Sequence, residues 1–291
     1  MPTLETDDRY APPGLEAVVR RIDGISTLPQ IALRVMEVAK NENSTASDIK
    51  DIMENDVALS ARVLRCVNSS AFALRSKITN LQQAITYLGL KQIRNLAMTA
   101  SVAELFRVDE TIGPYRRREL WRHLVAVGIC ARLIAMRRSM RNFEDAFLAG
   151  LMHDVGIVLE DQHAHLAFAR SIEALPISRT FIEAERAKLG FDHTALGEQV
   201  AELWGFPEAV RAAIRHHHLS LNYRGPHIDI IRVVEVANAI CSAKKITSIG
   251  VNLVKVCRPA LAALSLDVND LSVLSEDLNE ELVKNASLFK L

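Results

Sequence analysis

His153 and Asp154 stand side by side in the run Phe147-Leu148-Ala149-Gly150-Leu151-Met152-His153-Asp154-Val155-Gly156. The dipeptide alone says little, since nine His in 291 residues meet an Asp by chance readily enough. Its apolar setting says more, because burying such groups without partners costs several kcal/mol. A bound metal satisfies an imidazole and a carboxylate together. Other donors of the same kind are spaced to join them. Glu119 and His123 are four apart, so both leave one face of a helix. Asp192-His193 stands at a helix start and His216-His217-His218 at a helix end. Consecutive helical positions turn by about 100°, so at most two adjacent imidazoles of that triplet reach one point. Imidazoles and carboxylates without thiolates suit Fe, Mn, Zn or Ni, as one ion or two. A plainer reading of the same spacing makes His193 and the triplet packed or solvated helix ends. It pairs Glu119 with Arg116 and Arg122 for under ~1 kcal/mol. His163, His165 and His227 read as surface histidines.

These side chains need a scaffold, and the apolar spacing describes helices. Thr45-Ala46-Ser47-Asp48 carries the hydroxyl-then-acid spacing of a capping box and opens a helix through Met53. Leu59, Val63, Leu64 and Val67 share one face of the next helix. Asn80 opens a short helix that stops at Gly89. Helices are further expected over Leu15–Ile22, Gln30–Asn41, Ile93–Phe106, Tyr115–Met136, Ala146–Leu159, Ser178–Leu189, His193–Trp204, Pro207–His217 and Val233–Cys241. Val251–Leu264 and Asp270–Leu288 close the chain. No stretch alternates over strand length, so the fold class is all-α with short connections. Glu119 and His123 then ride one long helix, and His153-Asp154 lies within another.

Composition agrees. Hydrophobic residues make up 49% of the chain, yet aromatics only 5%, and there are just 12 Gly and 9 Pro. An apolar half rich in Leu, Ala, Val and Ile with little turn punctuation suits long helices. So apolar and uncharged a chain is not disordered. Its longest apolar runs, Leu124–Ala131 and Ala146–Met152, fall far short of the ~18 residues of a membrane span. The opening Met1–Tyr10 is acidic and polar, followed by Ala11-Pro12-Pro13-Gly14, which is no signal peptide but a loose tail. Cys66, Cys130, Cys241 and Cys257 sit unpaired in apolar runs and read as buried reduced thiols. A cytoplasmic protein is expected. With 35 basic and 35 acidic side chains, bulk binding to nucleic acid is not.

The charge is unevenly spread. Residues 111–141 carry Arg116, Arg117, Arg118, Arg122, Arg132, Arg137, Arg138 and Arg141 against the single acid Glu119. Residues 266–286 hold six acids against Lys284. Either the two faces are solvated and neutralise one another, or the arginines form an anion patch, with Arg116 and Arg122 as ligand-binding candidates.

Several motifs together resemble the HDOD domain. Leu28-Pro29 precedes an apolar helix, and Ile52, Asp56, Leu59, Leu64 and Val67-Asn68-Ser69 follow at the family's spacing. Leu81-Gln82-Gln83-Ala84-Ile85-Thr86-Tyr87-Leu88-Gly89-Leu90, Leu120-Trp121-Arg122-His123, the segment Ala146–Gly156, Phe191-Asp192-His193 with Gly197, and Trp204-Gly205-Phe206-Pro207 continue it. The resemblance runs from about residue 22 to 245. It implies an N-terminal helical lobe over 22–110 and an HD-like lobe over 111–245. Residues 1–21 then form a tail and first helix, and 246–291 a helical extension.

HDOD domains are similar to the HD and HD-GYP metal-dependent phosphohydrolases, although most are regarded as signalling modules. By position, the resemblance makes His123 and His153-Asp154 metal ligands, with Glu119 as an additional acidic one and His193, His217 and His218 as later ones. Two positions depart from the superfamily pattern. The final acid is Asn238, with Glu235 one turn away, and the Lys that follows the dyad in HD-GYP enzymes is Ile157. An amide is a poorer ligand for a hard cation than a carboxylate. The resemblance therefore implies a non-catalytic, regulatory signal-transduction protein with a degenerate metal or ligand pocket, in which Asn238 is a ligand-binding candidate. It would answer to a signalling protein partner, and a nucleotide or cyclic dinucleotide is its candidate ligand. The alternative is a metal-dependent phosphodiesterase acting on such a ligand, with Asp154 as the catalytic residue. A third reading has the histidines merely tying helices together.

Overall fold

A computed structural model describes residues 12–24, 30–41, 44–69, 74, 76–178, 180–255 and 257–289. The tail expected before residue 12 and the Leu28-Pro29 motif lie outside the described residues. The architecture is helical, with one two-stranded hairpin of two residues a side.

α1 (Leu15–Gly24) comes first, and the N-terminal lobe comprises α2 (Gln30–Lys40), α3 (Ala46–Met53), α4 (Val57–Val67), α5 (Leu81–Leu88) and α6 (Leu90–Val102). Its caps are the ones the sequence announces. Thr45 and Asp48 form a reciprocal capping box on α3, and the Asn80 side chain accepts from the Gln83 N–H at the start of α5. Gly89, at φ +82°, lets α6 leave α5 at once. Leu59, Val63 and Val67 are buried on one face of α4.

The second lobe is built around α7 (Arg117–Arg137), whose middle is buried almost all round, and α8 (Phe143–Met152). These two cross at Gly128 and Gly150. A Cβ on Gly150 would lie 2.8 Å from the Val127 carbonyl oxygen and 2.9 Å from the Gly128 Cα, so only glycine permits this approach. α9 (Val155–His163), α10 (His165–Glu173), α11 (Phe181–Leu189), α12 (His193–Leu203), α13 (Glu208–His216) and α14 (Ile228–Ala243) complete the lobe. α15 (Arg258–Ala263) and α16 (Val268–Lys284) follow, with α16 packed on α7. Among the described residues no helix is long and apolar enough to cross a membrane.

Four expectations from the spacing need correction. Tyr115-Arg116 is not helical: it forms β2, paired with β1 (Thr111–Ile112), because the buried Tyr115 hydroxyl and Arg117 Nε both donate to Asp161, at 2.9 and 2.7 Å. The apolar stretch Ala146–Leu159 is two helices broken at His153-Asp154. α10 was not foreseen. Among the described residues of Val251–Leu264 only Arg258–Ala263 is helical, while residues 246–255 form an irregular strap. The cysteines are free, but Cys66 and Cys257 are only half-buried.

The two charged segments meet. Arg137 donates to Asp270 of α16 at 2.8 and 3.0 Å, and Arg132 pairs with Glu144 at 2.9 Å. The first turn of α8 also clamps the two lobes: Asn95 donates to Glu144, while Arg94 and Lys91 donate to Asp145 at 2.9 and 3.0 Å. α1 lies against α9 and α12, with Arg21 donating to the His163 carbonyl at 3.3 Å. The first helix is thus docked on the second lobe.

Candidate metal centre

The break between α8 and α9 exists to point two side chains inward. Both His153 and Asp154 are buried there, at 0% and 2% exposure. Gly156 starts α9 so close to α12 that a Cβ would fall 2.0 Å from the His193 carbonyl oxygen. That approach carries His193, the first residue of α12, to the dyad. His123 comes from α7, and His217 and His218 from the end of α13.

Six side chains converge in two overlapping groups. His123, His153 and Asp154 form one; Asp154, His193, His217 and His218 form the other. In the first, His123 Nε2 and His153 Nε2 are 3.3 Å apart, with Asp154 Oδ2 at 3.7 and 3.2 Å. In the second, Asp154 Oδ1 lies 3.3 Å from His193 Nε2 and 3.1 Å from His217 Nε2, and His193 Nε2 lies 2.9 Å from His218 Nε2. Asp154 bridges the two groups, one oxygen in each.

The other ring nitrogens say which way these imidazoles are set. Nδ1 of His123 is 2.8 Å from the Ile246 carbonyl, that of His153 2.7 Å from the Gly150 carbonyl, and that of His217 2.9 Å from the Ile214 carbonyl. His193 Nδ1 is held between both oxygens of Glu185, at 2.8 and 2.7 Å. Carbonyls and carboxylates only accept, so each Nδ1 carries a hydrogen, and in the neutral rings Nε2 is left as a lone pair facing the cluster. Lone pairs 3 Å apart repel unless a cation lies among them. Asp154 Oδ1 and His217 Nε2 are fully enclosed yet aligned with no hydrogen-bond donor, despite their closeness. Donor atoms around one ion at ~2.0–2.2 Å would be spaced about 2.9–3.5 Å apart. The residues present therefore fit divalent metal, held through Nε2 atoms oriented from behind.

The electrostatics follow. Burial opposes the Asp154 charge, but His153 and the other imidazoles outweigh it and hold the carboxyl well below its usual range. Burial, with the His153 ring adding to it, lowers His123 to about 4. Burial works against a charged His193 too, yet the Glu185 and Asp154 carboxylates raise it well above the usual imidazole range. Behind Glu185 lies Glu160, fully buried with no donor on either oxygen. Burial and then the Glu185 charge push its carboxyl well above the usual carboxylate range.

The second group opens into a cavity of about 220 Å³, which Glu235 also lines. The strap forms part of its wall through Ser248, Ile249, Val251, Leu253, Val254 and Lys255.

Some residues read as site candidates lie elsewhere. Glu119 is half exposed and pairs with Arg122 at 3.6 Å, because its helical turn faces outward where His123 faces in. Arg116 and Arg122 are exposed and off the cavity wall. Asn238 is buried, accepts from the Ser242 hydroxyl at 3.2 Å, and is not on that wall either, whereas Glu235 is. His216 packs its ring against Tyr223. His165 is paired with Asp161, and His163 is half-buried rather than at the surface. Spacing missed Glu185, Glu160 and the Ile246 carbonyl. Only Glu160, an acid in the apolar run Val158-Leu159-Glu160, carried a readable signal.

The HDOD domain model matches residues 25–220. A Geobacter sulfurreducens HDOD domain protein of unknown function superposes with a TM-score of 0.78 at 24% identity, covering 95% of this chain and 98% of that one. A Shewanella amazonensis protein described as a candidate phosphohydrolase gives 0.73 at 21%, covering 94% and 96%. A Marinobacter aquaeolei protein described as a candidate signal transduction protein gives 0.74 at 23%, covering 94% and 63%. These likenesses show the fold. An uncharacterized Treponema pallidum protein is 25% identical over 232 residues; these are 76% of this chain but only 43% of that protein, so the chain spans less than half its length.

Proposed function

The chain belongs to the HDOD domain family, and from that premise we propose a signal-transduction module whose His/Asp centre holds divalent metal, and with it a ligand, without turning over a substrate. Asn238 carries this reading. The superfamily's last acid is an amide here, its oxygen accepting from Ser242, and the position after the dyad is the buried Ile157 in place of a cation. His123, His153 and Asp154 would hold one ion, and Asp154, His193, His217 and His218 a second. Bound there, the two ions would supply Lewis acidity and together tie four segments of the chain. The chain's own part is orientation. Glu185 fixes the His193 ring, backbone carbonyls fix those of His123, His153 and His217, and the apolar cavity wall limits water. A ligand in that cavity would bias how α8 sits between the centre and the lobe clamp at Glu144 and Asp145. A signalling protein reading either lobe is the partner this predicts.

A second reading, a metal-dependent phosphohydrolase, is favoured by one observation: Glu235 reaches the cavity and stands as a carboxylate near the second group. Elemental analysis and phosphodiesterase assay of the purified chain separate the two. The signalling reading expects bound Fe, Mn, Zn or Ni with no turnover of bis-nitrophenyl phosphate or a cyclic dinucleotide. Turnover abolished by Asp154→Ala overturns it. A silent protein that gains turnover on Asn238→Asp would locate the loss of activity at that residue.

A further inference from the structure

The strap is a part of the centre that no motif anticipated, and it changes what the cavity can accept. Ile246 anchors its start through the bond to His123 Nδ1. Gly250, at φ +80°, passes so close to the hairpin that a Cβ would lie 1.9 Å from the Pro114 carbonyl oxygen. Ser248 and Ile249 between these fixed points, and Val251, Leu253, Val254 and Lys255 beyond them, line the cavity together with the second metal group.

Lys255 is exposed, and its ammonium has no hydrogen-bond or ion-pair partner among the described residues. Thr180, Phe181 and Ile182 bring the N-terminus of α11 to the same cavity, with Thr180 capping it by accepting from the Glu183 N–H. A free ammonium and the positive end of a nine-residue helix both favour an anion. The enclosed Asp154 Oδ1 and His217 Nε2 line the same space with no donor aligned on either; as acceptors they call for the metal ion, whose positive charge would in turn favour an anion.

The remaining wall is apolar: Ile157, Phe181, Ile182, Ile249, Val251 and Leu253. Glu235 disfavours a second anionic group there. A volume of about 220 Å³ lies below the ~300–1,000 Å³ of pockets that take drug-sized ligands. A cyclic dinucleotide, with two phosphates and two nucleosides, matches neither the size nor the charge.

We propose that the strap makes the metal centre a pocket for one compact organic anion, with a single carboxylate or phosphate head and a small apolar body, and that Lys255 is the residue that meets the head. The inference rests on the metal reading above and names the ligand class of that same site. Lys255 takes the part of the cation that Ile157 does not supply, from a different segment of the chain.

The test is calorimetric titration of the full chain loaded with Mn(II), its metal content measured first. Benzoate and phenyl phosphate are the two probes, and whichever binds more tightly identifies the head. At least one is expected to bind. Lys255→Met should weaken it about tenfold or more, as loss of a charge-assisted contact does. Lys255→Arg should stay within about threefold, and a cyclic dinucleotide should give no heat. Equal affinity in Lys255→Met, or a cyclic dinucleotide binding as well as the small anions, overturns the proposal. A chain that takes up Mn(II) but binds neither probe overturns it alone. One that takes up no Mn(II) overturns the metal reading with it.

Discussion

The two halves of the centre share Asp154 and differ in what stands behind their imidazoles. His123 and His153 are fully buried and held by the carbonyls of Ile246 and Gly150. Their space is closed, and burial keeps His123 from charging. His193 is held instead by the Glu185 carboxylate, and its half faces the cavity. A carboxylate behind a ring makes its far nitrogen a stronger donor than a carbonyl does. One half is therefore suited to keep an ion and the other to exchange ligands. The same six side chains, with the backing partners interchanged, would make a different site.

Removing the shared residue should erase the difference. Asp154→Ala is expected to cut bound metal from about two ions per chain to none. The melting temperature should then no longer fall on chelation, as it does when metal contributes to folding. Scanning calorimetry with and without chelator checks this.

Glu185→Gln should separate the halves. Loss of an outer-shell carboxylate typically costs 10–100-fold in metal affinity, and here the loss should fall on the second ion alone. Competition titration with a chromogenic chelator would show one weakened step and one unchanged. Two equally weakened steps would mean that the halves act as one.

Gly156→Ala attacks the open half through the backbone. Its Cβ would overlap the His193 carbonyl, so α12 must move, at a cost of about 1–3 kcal/mol in urea melts. Affinity should fall for the second ion and hold for the first.

The mildest change is Glu160→Gln. The folded carboxyl is raised above its unfolded value by burial and by Glu185. Its favourable contribution is therefore complete at acid pH, below the unfolded pKa of about 4.3, and is lost as pH rises toward the folded value. Glutamine keeps the shape without that penalty. The variant should match the wild type near pH 4 and exceed it by on the order of 1 kcal/mol at neutral pH. A gain that does not grow with pH would mean that the Glu160 carboxyl is not raised in the folded chain.

How much of this was legible depended on how local each signal is. The capping box at Thr45, the cap at Asn80 and the stop at Gly89 are contained within a few residues, and all are present. His153-Asp154, Asp192-His193 and His217-His218 stood out because polar groups sat at apolar runs or helix ends. Glu119 misled for the same reason. Four-residue spacing puts two side chains on one helical face, but that face is wide enough for one to be fully buried and the other half exposed. The unbroken reading of Ala146–Leu159 misled because apolar periodicity does not register a turn whose purpose is to aim two side chains.

By itself the sequence determined that this is a helical protein of the HDOD kind, with imidazoles and one carboxylate suited to metal. Periodicity, caps and residue type are written in single short segments, and they suffice for that. Only the tertiary structure decided that Asp154 is shared between two groups, that Glu185 backs one ring while the Ile246 carbonyl backs another, and that residues 248–255 wall the cavity. Those contacts join positions as far as 123 residues apart. Several are made by backbone carbonyls, which every residue possesses, so no side-chain pattern could have announced them.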